Sequence, residues 1–145
     1  MATSFVAYKE KGYWYPDSLV ALMAKLLLVT IDEETYVPEW VTTYRNCLDD
    51  AAMDCRPGWQ NLGLDELEDE HVRYLVQLID KTIDKLRQMG DVITKDEMNV
   101  ISNGGYLSDI KTESVVRLFI YLKLILQGEG QAPGFKFVLY LEMIK

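Results

Sequence analysis

His71 is the single histidine of the chain, and Cys47 and Cys55 are its two cysteines. Imidazole titrates near neutrality, which makes His71 the natural candidate for a general base. A base of that kind needs a nucleophile, and the chain has neither a Gly-x-Ser-x-Gly elbow nor a cysteine-centred signature. One histidine and two cysteines with seven residues between them do not match a zinc site. Asp65, Glu66, Glu68, Asp69 and Glu70 supply oxygen ligands, but without the central glycine and terminal glutamate spacing of a calcium loop. Gly104-Gly105 lacks the lysine and the spacing of a phosphate-binding loop. The chain is therefore read as not an enzyme, with no cofactor and no metal ligands. Both cysteines are read as reduced thiols acting as small apolar residues.

What remains is charge. Of the 145 residues, the segment 32–70 holds twelve acidic side chains against Arg45 and Arg56. Its sum is −10, while the whole chain carries −8. Phosphate contacts need a basic surface, so direct nucleic-acid binding is excluded by sign. A concentrated acidic segment can keep a protein soluble, or it can steer a basic partner onto a docking surface. Large aromatics among acids fit a binding centre with a charged rim. On the binding reading the contacts are Asp32, Glu33, Glu34, Asp49, Asp50, Asp54, Trp59, Asp65, Glu66, Glu68, Asp69 and Glu70.

The elements that must position these residues are helical by periodicity. Over 64–89, Leu64, Leu67, His71, Leu75, Leu78, Ile79, Leu86 and Met89 fall on one stripe at the helical period. Acids crowd its start and Lys81, Lys85 and Arg87 its end, which suits the helix dipole. This is the longest amphipathic stretch, and it places His71 on the face turned to the core. A first helix begins after Pro16 with Asp17 or Ser18 as cap, and is apolar nearly all round to Thr30. A second follows Pro38 and carries Trp40, Val41, Tyr44, Cys47, Leu48 and Ala51 at helical spacing. Asp49 and Asp50 sit in its last turns, where the dipole disfavours them. Thr94 and Glu97 form a capping box for a short helix ending before 103–105. A last helix runs from Thr112, or slightly earlier from Ser108, to Gln127, with Gly128 closing it.

The fold predicted from this is an all-α bundle of five or six helices in one domain over 1–145, with at most a small terminal β element. The aromatic segment 1–16 has a candidate strand at 5–8, and residues 9–11 read as a solvated turn. Residues 128–134 read as a flexible joint. The tail 135–145 alternates like a strand but fits a final helix nearly as well. The start of the chain lacks the apolar core of a signal peptide. The apolar run 19–29 is eleven residues long and contains Lys25, against about 20 needed to cross a bilayer. A cytoplasmic protein without membrane contact is expected.

A small, acidic, mostly helical chain with IDEE at 31–34 and DELEDE at 65–70 resembles bacterial immunity proteins, which neutralise the nuclease toxins of colicin or contact-dependent inhibition systems. The resemblance implies a non-enzymatic inhibitor whose acids occupy or flank the basic cleft of a nuclease. The alternative is a helical self-association or adaptor module that exchanges its apolar tail between protomers. The sequence leaves the oligomeric state open, a dimer included.

Overall fold

The computed structural model describes residues 2–144 except 54–56, 59, 103 and 136. The chain opens with a hairpin, β1 (Thr3–Tyr8) and β2 (Lys11–Pro16). It continues through α1 (Asp17–Asp32), α2 (Glu39–Met53), a 3-10 turn (Leu64–Glu66) and α3 (Asp69–Gln88). Then come β3 (Val92–Ile93), α4 (Lys95–Ser102), β4 (Ile110–Lys111) and α5 (Thr112–Leu126). The all-α expectation is thus wrong. Among the described residues, five helices pack with two small antiparallel sheets, β1–β2 and β3–β4, in a mixed α and β architecture.

The hairpin escaped periodicity because its turn carries no Asn-Gly or Asp-Gly signal. Lys9 and Glu10 themselves adopt positive φ, 51° and 72°, the left-handed pair that a two-residue hairpin turn requires. Lys9 N–H donates to Asp65 Oδ1 at 2.8 Å, which holds the turn against the 3-10 segment. Phe5 faces Trp14 across the ladder, ring centroids 5.3 Å apart. The alternate residues Ser4, Val6 and Tyr8 turn inward and are buried.

α1 and α5 are buried around most of their circumference, as their all-round apolarity foretold. α1 packs against α2, α3 and α4, and α5 against α3 and the hairpin. α3 buries only one face, through Leu75, Leu78, Ile79, Thr82, Ile83 and Leu86. The capping box of α4 forms as read: Thr94 N–H donates to Glu97 Oε1 at 3.0 Å and Glu97 N–H to Thr94 Oγ1 at 3.2 Å. β3 and β4 pair on either side of α4 and bury Ile93 and Ile110.

α3 begins at Asp69, not at Leu64. Glu68 is extended, φ −81° and ψ 167°, and separates the helix from the 3-10 turn before it. Leu64 and Leu67 are both buried nonetheless. A 3-10 turn stacks residues i and i+3 on one side, so the same leucine spacing serves either helix type.

Over its described residues the tail forms neither a helix nor a continuous strand, only isolated bridges to Gly12, Trp14 and Ile110. It lies on its own chain. Gln131 exchanges two backbone hydrogen bonds with Gly12, at 2.8 and 2.9 Å. Trp14 Nε1 donates to Pro133 O at 3.0 Å. Further on, Leu139 N–H donates to Trp14 O at 3.1 Å and Ile144 N–H to Asp109 O at 2.8 Å. No helix of the described residues is long and apolar enough to cross a membrane.

Two buried tyrosines fasten this arrangement. Tyr15 donates to Leu118 O at 3.0 Å, joining β2 to α5, and Tyr44 donates to Leu62 O at 2.7 Å. Desolvation, foremost, raises both hydroxyls above the usual tyrosine range, with minor like-charge contributions from Tyr13 at Tyr15 and from Cys47 at Tyr44. Because the folded chain keeps these protons after the unfolded chain has released them, stability is whole below about pH 10 and falls above it. The expected loss is about 1.4 kcal/mol per pH unit for each hydroxyl. Urea midpoints measured from pH 9 to 11 should fall steeply, and less steeply for Tyr15→Phe/Tyr44→Phe. A flat profile for the parent chain would contradict this.

Candidate functional site

The structure divides the acids of 32–70 into two sets. The first is spent within the fold. Asp32 pairs with Arg45 at 2.6 Å, Glu33 with Lys85 and Glu34 with Lys81. The hydrogen bond that Arg45 donates to Asp32 is the main reason its guanidinium lies above its ordinary range, and the bond Lys81 donates to Glu34 does the same for Lys81. Asp65 holds the hairpin turn, as described above. Glu68 is the N-cap residue of α3, and its N–H donates to His71 Nδ1 at 3.3 Å.

The second set is not paired in this way, although Asp49 also helps to raise the Arg45 guanidinium. Asp49, Asp50, Glu66 and Asp69 are exposed, and none of them ion-pairs among the described residues. Asp50 comes from the end of α2 and Glu66 from the 3-10 turn, yet both act on the same group, Cys47. Burial, then Glu66, then Asp50 push the Cys47 thiol up, which disfavours the nucleophilic thiolate. Gly63 explains the closeness: with φ 65° it turns the chain back onto α2, where a Cβ would lie 3.1 Å from Cys47 Sγ. Asp54, Cys55 and Trp59 lie outside the described residues.

The starts of α2 and α3 also bring together an aromatic cluster. Trp40 and His71 stack with centroids 4.2 Å apart and planes 22° from parallel. Tyr74 meets Trp40 edge-on at 5.6 Å, and Tyr44 lies 6.0 Å away. Trp40 opens α2 and His71 sits in the first turn of α3, so the stack joins the starts of the two helices. His71 is therefore half-buried against an aromatic face, not sealed in the core as its place on the leucine stripe suggested.

The chemistry open to His71 is limited. Its Nδ1 already accepts a backbone N–H, and Nε2 lies 3.9 Å from Glu70. Among the described residues no hydroxyl or thiol hydrogen-bonds to it, so no nucleophile is poised for activation. Glu68, Glu70 and His71 bring ligand atoms within 4.8 Å of one another, but the bond at Nδ1 leaves only Nε2 of the imidazole for a cation.

Sequence reasoning found the acids but missed Arg45, Lys81 and Lys85 as their partners. It counted Trp40 among the large aromatics of the acidic segment, but not against His71. Trp40 and His71 each occupy the first turn of an amphipathic helix, and nothing in their spacing joins them. Comparison with protein-family models, with curated proteins and with solved structures finds no match to the chain, so its own residues carry the functional reading.

Proposed function

We propose that this chain is a non-enzymatic protein-binding protein of the immunity type. It neutralises a basic nuclease toxin by setting the acidic face of α2, the 3-10 turn and the start of α3 in or beside the toxin's phosphate-binding cleft. The observation that carries this is the division of the acids. Asp49, Asp50, Glu66 and Asp69 keep their charge unopposed by an ion pair, Asp69 in the same first turn of α3 as His71 of the aromatic stack, while Asp32, Glu33 and Glu34 already pair with cations. Unopposed carboxylates steer a basic partner, whereas a paired one must first give up its cation. An aromatic cluster beside charge supplies the apolar centre that a binding surface needs.

The test begins with the tagged chain and lysate of its source cell, capturing at low salt and releasing at high salt. The released protein is then assayed for DNA and RNA cleavage with and without added chain. Cleavage silenced by the chain is the expected result. Removing charge at Asp49→Asn/Asp50→Asn/Glu66→Gln/Asp69→Asn should slow association about tenfold or more at low salt. Glu33→Gln/Glu34→Gln should change it by less than about twofold. A captured partner without nuclease activity would remove the immunity assignment and leave the acidic docking face. Equal effects of the two variants would remove the face.

Self-association draws on one observation of its own, the exposure of Phe135, Phe137, Tyr140 and Met143 along the tail. Light scattering decides it: a monomer across a hundred-fold range of concentration, about 2.7 kcal/mol of chemical potential, would exclude it.

A further inference from the structure

The tail is held at both ends, and between its anchors it shares the wall of one cleft with α1. Trp14 O accepts from Leu139 N–H on one side; on the other, Lys111 N–H donates to Glu142 O at 3.0 Å and Asp109 O accepts from Ile144 N–H. Beneath this strap lies a cleft of about 860 Å³, within the roughly 300–1,000 Å³ of sites that enclose small molecules. Leu19 and Leu22 of α1, Met53 of α2, Tyr106 and Leu141 supply much of its wall. Leaving such a wall to water is unfavourable, and an apolar occupant recovers that free energy.

One lining group breaks the apolar pattern. Lys25 is the single charged side chain on the cleft among the described residues. Its Nζ donates to Ser102 O at 2.9 Å, at the end of α4. An ammonium has three donors, so that bond leaves two for another acceptor. In a chain of net charge −8, Lys25 ion-pairs with no carboxylate among the described residues. Lys81, Lys85, Lys111 and Lys123 each have one. A half-buried cation at the edge of an apolar cleft selects one kind of guest: an apolar body with a single anionic head.

We propose that this cleft binds a small anionic amphiphile, an unbranched carboxylate of medium chain length, with its chain between α1 and the strap and its head on Lys25 Nζ. The site is separate from the acidic face and does not depend on the immunity reading.

Calorimetric titration of the full chain with decanoate at neutral pH, with decan-1-ol as the neutral probe of equal length, tests this. Decanoate is expected to bind one to one, and about tenfold or more tightly than the alcohol. Lys25→Met should remove that preference by weakening decanoate alone, and Lys25→Arg should keep it. Ala52→Trp, which fills the cleft from its α2 side, should weaken both probes about tenfold or more. No binding of decanoate to the parent chain, or equal binding of acid and alcohol, would overturn the proposal. Should Lys25→Met fail to fold, the Ala52→Trp variant decides, and unchanged decanoate affinity there would overturn it as well.

Discussion

Gly12→Ala is expected to destabilise the fold by about 3 kcal/mol, a fall in Tm of about 6–12 °C for a chain of this size. Gly12 lies where three segments of backbone meet. It faces Ala7 across the β1–β2 ladder and Gln131 of the tail on its other edge. A Cβ on Gly12 would overlap the carbonyl oxygen of Val6 and lie 2.7 Å from Ala7 Cα. The tail presses equally close, since a Cβ on Gly130 would lie 2.5 Å from Gly12 N. These are contacts with backbone, which cannot turn aside as a side chain can, so the strands themselves must part. Gly134→Ala is the control: its Cβ meets nothing within 4 Å, and its effect should stay within about 0.5 kcal/mol. Thermal or urea unfolding of the two variants decides the matter. Equal midpoints would show that the hairpin and tail do not approach as closely as described.

Asp17→Ala is expected to cost about 3 kcal/mol by a different route. Asp17 reads in the sequence as a helix cap. In the fold Pro16 holds the cap position, and the buried Asp17 carboxylate serves other segments. Ser4 Oγ donates to its Oδ1 at 2.5 Å, and Gly58 N–H donates to its Oδ2 at 2.7 Å. Ser4 Oγ in turn accepts Gln60 N–H at 3.0 Å. One carboxylate thereby joins the hairpin, the start of α1 and the loop before the 3-10 turn. Alanine leaves two donors without their acceptor in a site with little water, and a hydrogen bond to a charged group contributes about 1.5–3 kcal/mol. Ser4→Ala should cost less, about 1–2 kcal/mol. The double variant should lose less than the sum, because the two residues share one network. Additive losses in a urea double-mutant cycle would refute the shared network.

The acidic face was legible in the sequence only as composition. Twelve acids in 32–70 are visible to anyone who counts. Which of them are free is not, because their cations come from far along the chain. Arg45 reaches back 13 residues to Asp32, Lys81 47 to Glu34 and Lys85 52 to Glu33. The Trp40–His71 stack is equally hidden, since it depends on how α2 lies against α3. The cleft under the tail left no trace, because its walls are the same apolar residues that a filled core would use.

The sequence by itself determined that the helices exist and set several of their ends: α1 after Pro16, α4 by its Thr94–Glu97 box, the close of α5 before Gly128. Helical periodicity and capping act between residues three or four apart, so a linear chain displays them whole. It also determined where the net charge lies, which is a matter of composition alone. The tertiary structure decided the β1–β2 hairpin, the late start of α3, the pairing of the connector acids, the seat of His71 and the path of the tail. Each of these depends on contacts between segments distant in sequence. There, burial and backbone pairing override local preference, as Lys9 and Glu10 show by taking left-handed backbone to close a turn that glycine or asparagine would make more readily.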